Sequence, residues 1–229
     1  MGDVIKNIKE FIWDVIGYLI PGFLLIIVFN LCLLPSIGIE DNFLIEWEKF
    51  SDYLIVIISY ILGYVVYSLS DFKALKQDRL LDFLVKKLPK FESYFSKHKN
   101  NHWEKTFKES ATFKNAVLFL KEKGYKDTDK MKINEIRNIL MSRNPSMDQK
   151  VYTFMFRASV FNNISTILLV IISLAFIQLF TSLKGLYFIK TTPQFIIIYF
   201  IFLFLIPLLE KGKKRFFQIA MRIPLSNTK

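Results

Sequence analysis

The sequence is short of the residues that carry most recognisable chemistry. It has one cysteine, Cys32, and two histidines in 229 residues. A single thiol excludes a disulfide framework and any Cys-x-x-Cys redox or zinc motif. There is no G-x-S-x-G elbow, no phosphate-binding Gly-rich loop, and no Arg followed four to six residues later by His, the pattern of HEPN ribonucleases. His98 and His102 would share one face of a helix. No third ligand accompanies them, and Lys97 and Lys99 oppose a bound cation. No catalytic residue, metal ligand or cofactor site is therefore assigned, and the chain is expected not to be an enzyme.

Charge is also missing, in four places. Val15–Ile39, Tyr53–Ser70, Ala158–Leu183 and Thr191–Leu209 contain no Asp, Glu, Lys or Arg. At 1.5 Å per residue, each can cross all or most of a hydrocarbon layer about 30 Å thick. The expected fold is all-α: an integral membrane protein with four transmembrane helices and a helical cytosolic insert between the second and third. The parts are an interfacial amphipathic helix (1–14), spans one and two (15–70), the insert (71–157), spans three and four (158–209) and a basic tail (210–229). The apolar run after Asp14 is too long for a secretory signal, and no A-x-A-like cleavage site follows it.

What is present between the windows sets the orientation. Residues 35–52 carry five acids against one base, whereas 71–157 carry twenty Lys and Arg against eleven acids. The tail from Glu210 carries six bases and one acid. Because Lys and Arg concentrate on the cytoplasmic side, both termini and the insert are expected inside, and the 35–52 loop outside. The bias toward Phe, Ile, Lys and Asn points to an AT-rich bacterial genome, so the membrane is taken as the inner one. Lys86, Lys87, Lys90, Lys213, Lys214 and Arg215 are candidates for a basic surface facing anionic lipid or a partner, worth about 1 kcal/mol per residue near the membrane. Nucleic-acid binding is the less favoured reading, because these bases follow helical faces instead of a recognisable module.

Within the insert, Leu80, Leu81, Leu84, Val85 and Leu88 form a stripe, and aromatic residues from Phe91 onward can build a small core. Gly124 breaks the chain, and Thr128 or Asp129 is placed to cap a helix carrying Ile133, Ile136 and Leu140. The pattern from Asp148 runs unbroken through Arg157 into span three, so one long helix is expected there.

Polar and small residues inside the windows are the remaining candidates. Pro21 and Gly22 predict a kink or break in span one. Ser59 and Gly63 form a small-xxx-small pair that lets another helix approach closely. Asn162 and Asn163 sit side by side about 8–9 Å beyond Arg157, inside the hydrocarbon edge. Two readings stand: hydrogen bonding between helices, or a hydrated path or oligomer seam, with Gln178 and Asn30 as further members.

The segments YLIPGF, YILGYVVYSLSD and FRASVFNNI, at the entries or exits of spans one to three, give the chain a layout that resembles small four-span bacterial proteins encoded beside phage-defence systems. Membrane accessory proteins of RNA-targeting CRISPR loci and the Kiwa membrane subunit belong to that group. The resemblance assigns no individual residue. It implies an oligomeric membrane effector or sensor in antiviral defence, whose cytosolic insert receives a protein partner or a nucleotide-type signal and alters membrane packing or permeability. The alternative is a non-conducting anchor for a cytosolic partner.

Overall fold

Long apolar runs become long helices, because a helix satisfies its own backbone hydrogen bonds where no water is at hand. The computed structural model describes residues 2–33, 52–87, 104, 107–144, 147–181 and 189–226. Among them the named elements are six helices: α1 (Gly2–Cys32), α2 (Asp52–Lys87), α3 (Ala111–Glu122), α4 (Ile133–Arg143), α5 (Asp148–Thr181) and α6 (Pro193–Ser226). The described β pairing is a single antiparallel bridge, Leu33 with Ile189. Four helices, α1, α2, α5 and α6, are long and apolar enough to cross a membrane. With 31 to 36 residues each, they reach about 46–54 Å, which exceeds a hydrocarbon core of about 30 Å.

The chain divides into two compact units. The first comprises Met1–Asp71 and Ser159–Lys213, the second Phe72–Ala158 and Lys214–Lys229. In the first, Leu25, Val28 and Cys32 of α1, Val66 of α2, Ile167 and Ile171 of α5, and Ile189 form one buried cluster. Large apolar side chains also point outward, among them Ile57 and Ile61 of α2, Phe176 and Leu179 of α5, and Phe200, Phe204 and Leu208 of α6. So much outward apolar area is foreign to a water-soluble monomer and compatible with a multi-pass membrane protein.

Of the kink or break expected at Pro21–Gly22, no break occurs, since α1 continues through both residues. No interruption separates residues 2–14 from the span either, so the interfacial segment and span one are one helix. Gly22 has a different role. A Cβ there would lie 1.7 Å from the Ser59 carbonyl oxygen, and a Cβ on Gly63 would lie 1.9 Å from the Tyr18 carbonyl oxygen. The two glycines let the backbones of α1 and α2 touch, with Ser59 and Gly63 providing the α2 side. Tyr18 stacks on Tyr64 at 3.9 Å between ring centres, and the Tyr60 and Tyr64 hydroxyls are 3.0 Å apart.

In the second unit, Ser110 caps α3 by accepting the Phe113 N–H. The helix ends at Gly124, whose φ of +85° is a conformation that costs glycine little. There the Tyr125 N–H donates to the Leu120 carbonyl and the Gly124 N–H to that of Lys121, a Schellman closure. Helix α4 starts later than its expected caps. Lys132 is the N-cap, and its N–H donates to Glu135 Oε2 at 2.9 Å. Thr128 is buried instead of capping, and Asp129 pairs with Lys121 at 2.6 Å.

Residues 210–226, in the basic tail, continue α6. Met221 and Leu225 are buried with Phe107, Phe113, Leu120, Ile136 and Leu140. The core of the second unit thus draws on both insert and tail, and 71–157 alone is not its boundary. His98, His102, Leu88 and Lys90 lie outside the described residues, as do the side chains of the stripe from Leu80 to Val85 and those of Lys86 and Lys87.

Candidate functional site

Neighbouring residues on a helix point about 100° apart, and α5 uses that angle to join two partners. Asn163 faces α2: its Oδ1 accepts a hydrogen bond from Ser70 Oγ at 2.9 Å. Ser70 Oγ is also 2.9 Å from Thr166 Oγ1, which donates to the Asn162 carbonyl. Asn162 faces α6: its Oδ1 accepts from Lys213 Nζ at 2.9 Å. Ser165, one turn of helix from Asn162, donates from Oγ to Glu210 Oε1 at 2.9 Å. Lys213 and Glu210 pair on α6 at 3.7 Å, with 22% and 21% of their side chains exposed.

The result is a polar clasp. Three apolar helices are tied at one end, where α2 runs into Asp71 and α6 into Glu210. Each bond between helices in an apolar medium contributes about 0.6–2 kcal/mol. Small residues support the contact here as well, since a Cβ on Gly212 would lie 2.9 Å from the Phe161 ring.

The candidates separate into groups. Asn162 and Asn163 are in the clasp. Asn30 is half-buried near the other end of α1, where the Cys32 carbonyl accepts the Lys190 N–H. Gln178 is buried, about 22 Å along α5 from Asn163, and so belongs to a different layer. The basic trio divides: Lys213 turns into the clasp instead of toward headgroups, Lys214 is half-buried, and Arg215 is exposed. Arg157 lies over the rings of Phe154 and Phe216 at 5.6 and 5.8 Å.

Sequence reasoning missed Ser70 and Glu210. Both sit at window boundaries, Ser70 as the last residue of the second window and Glu210 as the first after the fourth. Antiparallel packing brings those boundaries level with Asn162 and Asn163, so pairing the window ends is the signal that finds them. The clasp brings charge beside span residues in windows that contain none. Among the described residues, no group of three His, Cys, Asp or Glu is placed to hold a metal. No protein-family model, curated protein or solved structure matches the chain.

Proposed function

We propose that the protein is an oligomeric effector or sensor of a bacterial inner membrane that acts without catalysis, and that the clasp holds its resting packing. Both termini and the insert face the cytosol, where a protein partner or nucleotide-type signal engages the helical unit and releases the clasp. The spans then repack and the membrane becomes permeable. The layout resemblance supports a role in antiviral defence. The observation that carries the reading is the clasp itself, which joins three helices at the end from which insert and tail leave. The second reading, a non-conducting anchor, is favoured by the same bonds if they never open.

The two readings differ for the Asn162→Leu/Asn163→Leu variant. It loses bonds worth together about 1–4 kcal/mol, which shifts a resting equilibrium by roughly tenfold to several hundredfold. Cells expressing it are expected to depolarise without any trigger, as read by a potential-sensitive dye, while wild-type cells stay polarised. Equal potentials in the two, with equal sensitivity to phage, would leave only the anchor.

Topology has its own test. A reporter fused after Lys229 is expected in the cytoplasm, and a cysteine in place of Asn42 is expected to label from outside. External labelling of a Lys123→Cys variant would reverse the orientation.

A further inference from the structure

Arg157 is the last charged residue of α5 before the charge-free stretch Ala158–Leu183. Its side chain is exposed and lies against two rings. The guanidinium carbon is 5.6 Å from the centre of the Phe154 ring on α5 and 5.8 Å from that of Phe216 on α6. Both rings attract the cation and restrict where it can point. Neither supplies a lone pair, so the five N–H donors of the fork still require oxygen. Among the described residues no carboxylate pairs with Arg157.

The acids of both helices lie elsewhere. α5 has none after Asp148, nine residues and about 13–14 Å before Arg157. α6 has none after Glu210, and that carboxylate is engaged by Ser165 and Lys213. Lys214 and Arg215 directly precede Phe216, within about 3 Å of its level along the helix axis. Neither has an ion-pair partner among the described residues. Arg215 and Lys214 point about 100° and 200° away from Phe216, so they extend a basic belt without sharing the contact of Arg157. An arginine fork binds phosphate through two parallel N–H···O bonds. Because α5 becomes free of charge with the very next residue, the phosphate that Arg157 meets is that of a lipid headgroup.

We propose that Arg157, oriented by Phe154 and Phe216, binds the phosphate of an anionic phospholipid at the cytoplasmic boundary of the spans, and that Lys214 and Arg215 widen the attraction to anionic lipid around it. The inference rests on the inner-membrane orientation proposed above and names a ligand for that edge. A headgroup held there braces α5 against α6, because the two rings that fix the arginine belong to those two helices.

Native mass spectrometry of the full chain in detergent tests it, with titration by phosphatidylglycerol or by zwitterionic phosphatidylcholine. The wild-type chain is expected to take up phosphatidylglycerol at lower concentration than phosphatidylcholine. Arg157→Gln is expected to weaken phosphatidylglycerol binding by about fivefold, the factor that corresponds to about 1 kcal/mol for one basic residue at an anionic surface. Phe154→Leu keeps the arginine and removes one ring. It is expected to weaken binding by a smaller factor, and it stands in if Arg157→Gln does not fold. Lys114→Gln removes the same charge from an exposed position on α3 and should bind as wild type. Equal affinity in wild type and Arg157→Gln overturns the proposal, and so does equal weakening by Lys114→Gln, which would reduce the effect to net charge. Displacement of the lipid by inorganic phosphate at matched ionic strength would make a soluble anion the ligand and overturn the lipid assignment. Lipid uptake needs neither a trigger nor depolarisation, so its failure is distinct from failure of the effector reading.

Discussion

Alanine at Gly22 forces α1 away from α2. The new Cβ would sit 1.7 Å from the Ser59 carbonyl oxygen and 2.7 Å from the Gly63 nitrogen. Reaching the 3.0 Å that real Cβ atoms respect requires a displacement of about 1.3 Å, the difference between 3.0 and 1.7. Both obstacles are backbone, so no side chain can swing aside. Gly63→Ala meets the same obstacle from the other helix, with its Cβ 1.9 Å from the Tyr18 carbonyl oxygen. Overpacking costs about 1–3 kcal/mol and occasionally more, and two opposed backbones place these variants at the upper end or beyond. Gly63→Leu is expected to prevent the helices from pairing. Gly212→Ala is the control, because its Cβ meets the Phe161 ring at 2.9 Å, and a ring can rotate away. Thermal unfolding of the detergent-solubilised chain should show a large fall for Gly22→Ala and Gly63→Ala and a small one for Gly212→Ala. Because they disrupt one contact, the first two should not be additive. Equal unfolding temperatures for Gly22→Ala and Gly212→Ala would refute the close approach of α1 and α2.

The same glycine shows where sequence reading stops. Local chemistry at Pro21–Gly22 is that of a helix breaker: proline lacks a donor and glycine lacks a Cβ. Gly22 is nevertheless explained by a contact about forty residues away in sequence, and nothing local marks it. The four long apolar helices were legible because a charge-free stretch of such length reports a helix long and apolar enough to cross a membrane. The reach of α5 from Asp148 to Thr181 was legible too, since the helical pattern crosses the window edge at Arg157 without a stop. For the asparagine pair, the 100° divergence was readable. The partners Ser70 and Lys213 are 93 and 51 residues away, and only the antiparallel register brings them in. The packing of the tail was missed for another reason. Phe217, Met221 and Leu225 recur every four residues, a clear buried stripe. Counting the six bases around them concealed it.

That stripe makes Leu225→Asp the most damaging single change expected in the second unit. Leu225 is 1% exposed and packs with Met221 in the core that holds α3 and α4. An uncompensated carboxylate in such a site must be desolvated or protonated, and either route costs several kcal/mol. Small units have only about 5–15 kcal/mol in total, so α3 and α4 are expected to lose their fold although neither is altered. Met221→Ala should act in the same direction at about 2–5 kcal/mol, through the cavity it leaves and the loss of the contact between Arg137 Nη1 and Met221 Sδ at 3.0 Å. Hydrogen exchange reads the outcome directly: amides of Ala111–Glu122 and Ile133–Arg143 should lose protection in Leu225→Asp. The contrasting variant is Lys211→Gln/Arg215→Gln. Both side chains are exposed, so it removes two of the tail's charges while leaving the apolar stripe in place, and protection should persist. If exchange is unchanged in Leu225→Asp, or if the charge variant unfolds α3 and α4 instead, the tail acts through its charge and its helix is not part of the core.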